Sequence, residues 1–200
     1  MVTMHTVIDQ LFRLIEGEMA EHDPLIVAID GRCASGKTTI AAELARRLKA
    51  ELIHMDDFFL RPEQRTQERL STPGGNIDYE RFLEEVLIPL CRGEVVSYRP
   101  FSCATQALGE PISVPAASVI LVEGSYACHP CLRDHYGLRI FLTVNPEEQM
   151  HRLRLRNGAY AEVFRDRWIP LEESYFGACD VQNCCHVVMD TSGAEACSED

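Results

Sequence analysis

Positive charge is scarce in this chain. Lysine and arginine total 19 against 31 aspartates and glutamates, a formal net charge of −12 over 200 residues. That balance excludes a general binder of nucleic acid or of anionic membrane surfaces, which depends on a basic face. It does not exclude a nucleotide ligand, which needs only local positive charge. No apolar run approaches the length of a membrane span. The first 21 residues carry Asp9, Arg13, Glu16 and Glu18 in an amphipathic pattern, so they lack the features of a secretory leader. Internal repeats and low-complexity tracts are also missing. Cysteine is plentiful at nine residues, but the number is odd and the positions are scattered. Cys128-His129-Pro130-Cys131 and Cys184-Cys185-His186 fit no standard zinc pairing. These absences point to a cytoplasmic protein with reduced thiols.

What is present is ordinary for one globular domain spanning residues 1–200: 46% hydrophobic and 25% charged residues. Residues 31–38 then stand out. Gly31-Arg32-Cys33-Ala34-Ser35-Gly36-Lys37-Thr38 is a complete G-x-x-x-x-G-K-[ST] phosphate-binding loop. Leu25 to Ile29 before it form a short β-branched run, the pattern of a buried strand. From Thr39 onward Ile40, Leu44 and Leu48 share a helical face. Strand, glycine-rich loop and helix together aim backbone N–H groups at a phosphate chain. Lys37 would reach the β- and γ-phosphates of ATP, and the Thr38 hydroxyl would ligate Mg²⁺.

The rest of the chain alternates strand and helix patterns. An amphipathic helix falls within residues 1–22, with Val7, Leu11, Leu14 and Ile15 in phase. Glu51 to Met55 read as a second strand ending at Asp56-Asp57. Residues 61–76 read as a loop. Asp78 opens a helix with Phe82, Val86 and Leu90 in phase, ending at Gly93. Residues 95–115 suggest a small hairpin outside the main sheet. Ser118 to Val122, Leu138 to Val144 and His186 to Met189 read as further strands. Helical patterns run from Pro146 to Arg156 and from Tyr160 to Phe176. Ser192 to Asp200 reads as a frayed acidic tail. Such alternation predicts an α/β fold with a parallel sheet and right-handed crossovers. Ligands of such sheets sit at the carboxyl ends of the strands.

Those strand ends collect a candidate site. One of Asp56 and Asp57 should face the γ-phosphate region, where a carboxylate can accept the proton of an attacking hydroxyl. Glu123 ends an apolar strand and can hold Mg²⁺ directly or through water. Arg152, Arg154, Arg156, Arg165 and Arg167 concentrate within residues 150–176. Guanidinium groups suit the spread charge of phosphoryl transfer, so this segment reads as a lid.

In combination these residues resemble the uridine kinase and phosphoribulokinase family. The resemblance rests on Ile29-Asp30-Gly31 through Thr39, Met55-Asp56-Asp57-Phe58-Phe59, Pro73-Gly74-Gly75 through Phe82, and Val122-Glu123-Gly124. It implies a P-loop, nucleoside-monophosphate-kinase-like fold: five parallel strands, flanking helices and an arginine-bearing lid. It implies ATP and Mg²⁺ as cofactors, a small-molecule alcohol as acceptor, and association into homo-oligomers. By position Asp56 matches the family's general base, Glu123 its magnesium-associated acid and Asp78 its ribose-binding carboxylate. Arg156, with Arg165 or Arg167, falls in the lid. Phe59, Asp78, Tyr98 and Arg99 would line the acceptor pocket. Uridine kinases read the pyrimidine with a Tyr-Asp pair and a following histidine. Here Tyr98 is kept, Arg99 replaces the acid, and the histidine is missing. The reading is therefore an ATP-dependent kinase acting on a nucleoside-like hydroxyl. Alternatives are a kinase for a pantothenate- or sugar-phosphate-like acceptor, and a nucleotide-binding regulatory ATPase.

Overall fold

All seven positions of Leu25–Gly31 are buried. A strand with no exposed face belongs inside a sheet covered on both sides. The computed structural model describes residues 3–194 and shows such a sheet. Thr3 accepts the Thr6 N–H and starts α1 (Met4–Glu18). Then come β1 (Leu25–Gly31), α2 (Lys37–Leu48), β2 (Glu51–His54) and a 3-10 turn, Met55–Phe58. Two short helices, α3 (Gln67–Ser71) and α4 (Tyr79–Phe82), lead to α5 (Ile88–Cys91). The strands β3 (Val96–Tyr98), β4 (Phe101–Ser102), β5 (Ala107–Leu108) and β6 (Ile112–Val114) form an excursion before β7 (Val119–Glu123) and β8 (Leu138–Thr143). The chain closes with α6 (Pro146–Asn157), α7 (Ala161–Val163), α8 (Ile169–Ala178), α9 (Val181–Cys184) and β9 (Val187–Asp190).

The main sheet has five parallel strands in the order β2-β7-β1-β8-β9. Alternate residues of β1 feed two cores. Leu25, Val27 and Ile29 pack with α1 and α2, while Ile26 and Ala28 pack with Phe58, Phe82, Tyr98 and Tyr175. Among the described residues no helix is long and apolar enough to cross a membrane.

Several boundaries differ from the sequence reading. The first helix stops at Glu18, and β2 stops at His54, so Asp56 and Asp57 ride on the 3-10 turn. Residues 61–76 hold a helix, α3. The excursion at 95–115 is two ribbons, β3 with β6 and β4 with β5. Cys184 ends a helix and the last strand begins at Val187. Ser192 to Ala194 are held: Ser192 Oγ accepts the Asn145 N–H, and the Ala194 carbonyl accepts from Arg152. The rest of the expected frayed tail lies outside the described residues.

The helical patterns at 78–93 and 160–176 both break into π-turns, at Leu83–Leu87 and Phe164–Trp168. Each is followed two residues later by a proline, Pro89 or Pro170. A proline lacks the N–H and crowds the carbonyl four residues back, so the ladder there shifts to a wider turn.

Asp30 ties the loop after β7 to α8. Its Oδ1 accepts from Gly31 N at 2.7 Å, and its Oδ2 from Cys128 N at 2.8 Å and the Tyr175 hydroxyl at 2.9 Å. Complete burial outweighs these donors and pushes its pKa up to about 6. A raised carboxyl pKa means that the folded state binds the proton more tightly than the unfolded chain. Its contribution to stability is therefore greatest at acid pH and is lost as pH rises from about 4 through 6. We expect the stability of the native protein minus that of Asp30→Asn to fall by about 2 kcal/mol between pH 4 and pH 7. Urea unfolding at the two pH values checks this. A difference that stays level, or rises, would contradict it.

Candidate active site

The loop is shaped by close backbone approach. Gly31 has φ 136° and Gly36 has φ 90°, values that favour glycine. Arg32 N donates to Leu142 O of β8 at 3.0 Å, which draws the loop over the sheet's carboxyl end. Gly36 then caps α2, whose first residue is Lys37. The Lys37 ammonium folds back over the loop and donates to Gly31 O at 2.6 Å and Arg32 O at 2.9 Å. From α6, Arg152 donates to Ala34 O at 3.2 Å and Gln149 to Cys33 O at 3.0 Å. These contacts hold Ala34 at φ 60°. Burial pushes the Cys33 thiol up to about 12, so it stays protonated.

Thr38 and Glu123 converge. The Thr38 hydroxyl lies 3.4 Å from Glu123 Oε1 and 3.3 Å from Oε2, long for an O–H···O bond. A hydroxyl and a carboxylate opening onto one cavity are the oxygen donors that a hard cation takes. The set fits Mg²⁺. Glu123 also accepts from His54 Nδ1 at 2.6 Å, and this carboxylate contact raises the histidine pKa against the effect of burial.

The two aspartates of the 3-10 turn part ways. Asp57 Oδ2 accepts the Tyr98 hydroxyl at 2.9 Å. Asp56 makes no side-chain hydrogen bond among the described residues and lines the cavity. It is open to water there, yet the enclosing protein raises its pKa; Lys37 opposes the rise and Glu123 adds to it.

The cavity is about 790 Å³. It brings together Cys33 to Thr39 without Ser35, Asp56, Phe59, Glu123 and Arg156 of the expected residues. It does not bring in Gly31, Asp78, Tyr98, Arg99, Arg165 or Arg32, which pairs with Glu173. Asp78 is buried as the cap of α4, accepting from Arg81 N at 3.3 Å and Gln64 Nε2 at 2.9 Å. Tyr98 is spent on Asp57. Arg99 is exposed and donates to Gly109 O at 2.7 Å, bracing the β4–β5 ribbon. Arg165 is exposed and paired with Asp166 and Glu162. The serine of the loop, Ser35, is buried beneath it, where its carbonyl accepts from Thr191.

Other lining residues were not singled out from the sequence. Tyr160, Phe164 and Trp168 recur every fourth residue and form an aromatic wall. That spacing was readable, but a stripe of aromatics at helical period usually marks core. Asn76, Ser125, Tyr126, His151 and Glu172 also line the space, beside Arg152 of the expected lid arginines. Glu172 in the first turn of α8 is buried and accepts the Cys33 N–H at 2.9 Å and the Ser125 hydroxyl at 2.5 Å. No local motif marks it, because its partners are more than forty residues away.

A phosphate loop over a five-stranded parallel sheet, with Glu123 ending β7 and Asp56 just after the neighbouring β2, defines a P-loop fold with acids beside its phosphate loop. Comparison with known proteins narrows this. The chain is 26% identical over 144 residues to uridine-cytidine kinase B of Dictyostelium discoideum, covering 67% of this chain and 58% of that protein. The match thus spans less than two thirds of that relative's length. A solved structure described as a possible uridine kinase from Bacillus stearothermophilus superposes with a TM-score of 0.70 at 20% identity, covering 92% of this chain and 97% of that one. YFH7 of Saccharomyces cerevisiae, described as a candidate P-loop kinase with a circular permutation, gives 0.61 at 14% identity, covering 97% and 100%. No family model matches the chain. The chain is thus similar in sequence to a uridine-cytidine kinase over part of its length and shares the fold of these structures.

Proposed function

We propose that the protein transfers the γ-phosphoryl group of ATP to a hydroxyl of a neutral, nucleoside-like small molecule. One observation carries the reading: a free carboxylate, Asp56, shares a cavity with Lys37, Thr38 and Glu123. Lys37 and the loop amides hold the phosphate chain. Thr38 and Glu123 hold Mg²⁺, which when bound offsets the negative charge of the outer phosphates. Asp56 accepts the hydroxyl proton as the oxygen attacks. Arg156 and Arg152 border the phosphate side. Phe59, Tyr126 and the aromatic wall exclude water, which would otherwise compete as acceptor.

Charge placement supports a neutral acceptor. The cations lining the cavity are Lys37, Arg152 and Arg156, from the phosphate loop and α6, with His151 beside them. Four carboxylates, Asp56, Glu123, Glu148 and Glu172, line the same cavity. An acceptor bearing its own phosphate or carboxylate would bring a further anion into a cavity already lined by these carboxylates. The test is ADP release from MgATP in the presence of nucleosides, vitamins bearing a hydroxyl, and sugar phosphates. The true acceptor should turn over on the order of 1–100 per second, and the phosphorylated alcohols should fall well below it. Rates no higher than background hydrolysis with every alcohol would contradict the reading.

A further inference from the structure

We infer that Glu172 is a specificity-determining residue that sets the discrimination between nucleoside triphosphate and diphosphate. The inference rests on the proposed reading that the loop binds ATP. Backbone N–H groups of a phosphate loop are receivers of oxyanions. In this protein one of them already has one: Cys33 N donates to Glu172 Oε2 at 2.9 Å. The other carboxylate oxygen takes the Ser125 hydroxyl at 2.5 Å. Glu172 is only 6% exposed. Among the described residues it has no ion-pair partner. Its neighbour Glu173 takes Arg32, at 2.6 Å and 3.0 Å. Lys37, the other cation of the loop, is turned onto the Gly31 and Arg32 carbonyls. The Glu172 carboxylate therefore places a negative charge, without a salt-bridge partner among the described residues, on a phosphate-loop amide.

The inner phosphates of a nucleotide belong at the N-terminus of α2, on Gly36, Lys37 and Thr38. Cys33 lies earlier in the loop and shares the Glu172 carboxylate with Ser125, and all three line the cavity. A third phosphate extending that way meets the Glu172 charge, and one N–H cannot serve both anions well. A diphosphate ends short of it. The carboxylate must leave Cys33 for the triphosphate alone, and α8, which carries it, moves with the third phosphate. Glu172 thus weakens triphosphate binding and leaves diphosphate binding nearly untouched.

The test is calorimetric titration of the native protein, Glu172→Gln and Glu173→Gln with ATP and with ADP, without metal and with Mg²⁺. We expect the ratio of ATP to ADP affinity to rise about tenfold in Glu172→Gln, with ADP affinity changed by less than about twofold. Glu173→Gln, which loses the Arg32 pair from the same helix turn, should keep the native ratio. A ratio that is unchanged or lower in Glu172→Gln overturns the inference. Hydrogen exchange on the native protein covers the case in which the variant does not fold. The first turn of α8 should lose protection with a non-hydrolysable ATP analogue but not with ADP, and equal effects of the two would overturn the inference. A native protein that binds neither nucleotide would overturn the ATP reading itself, a result distinct from normal binding with an unaltered ratio.

Discussion

Asp56→Asn should lower acceptor-dependent phosphoryl transfer by about 10²–10⁴-fold, the usual contribution of a positioned base. The affinity for ATP should hold or tighten slightly, because a negative charge has left the cavity. The expectation follows from how the two aspartates are used. Asp57 is committed to the Tyr98 hydroxyl at 2.9 Å. Asp56 keeps both oxygens for ligands and has its pKa raised by the surrounding protein, which makes it a better proton acceptor than an ordinary surface aspartate. Asp57→Asn should keep most of its turnover, since asparagine can still accept from Tyr98. Steady-state rates of both variants, with separately measured ATP affinity, decide the matter. An inactive Asp57→Asn beside an active Asp56→Asn would assign the base to the other carboxylate.

The second large effect concerns the loop's footing. A Cβ on Gly31 would lie 2.0 Å from Leu142 O, a backbone atom of β8 that cannot rotate away, and φ there is 136°. Gly31→Ala must either push β1 from β8 or reshape the loop. Backbone strain and overpacking together should cost about 3–5 kcal/mol, lowering the melting temperature by roughly 10–15 °C. Nucleotide binding should weaken too, since Arg32 N loses its register with Leu142 O. Gly17 is the matched control. Nothing lies within 4 Å of a Cβ there and it sits inside α1. Gly17→Ala should be neutral or stabilise by up to about 1 kcal/mol. Thermal unfolding of the pair tests the argument, and a Gly31→Ala protein as stable as the native one would contradict it.

The sheet was legible because its central strands β1 and β7 are buried on both faces and so appear as unbroken apolar runs, Leu25 to Ile29 and Val119 to Val122, while Leu138 to Val144 is broken only by Arg139 and Thr143. The loop was legible because phosphate binding constrains consecutive residues. Asp56 and Glu123 followed from the rule that ligands gather at strand carboxyl ends. Other features depend on distant partners. Asp78 was readable as the helix cap that accepts the Arg81 N–H, but nothing near it says that Gln64 will use its other oxygen. Arg99 looks like a ligand-reading cation in a string of residues, but the β4–β5 ribbon consumes its donors. Glu172 was invisible because its chemistry depends on Cys33 and Ser125, placed beside it only by the fold. The lid arginines divide by local geometry: the π-turn before Pro170 resets the helix face, leaving Arg165 in solvent while Phe164 and Trp168 face the cavity.

The most direct test follows the label. ATP carrying a labelled γ-phosphate is incubated with the protein, Mg²⁺ and each neutral alcohol of the nucleoside class, and the products are separated by mass. The account predicts label on the hydroxyl of one such alcohol, formed in step with ADP and reduced at least about a hundredfold in Asp56→Asn. Label released only as inorganic phosphate, at a rate that no alcohol changes and that Asp56→Asn leaves intact, would contradict it.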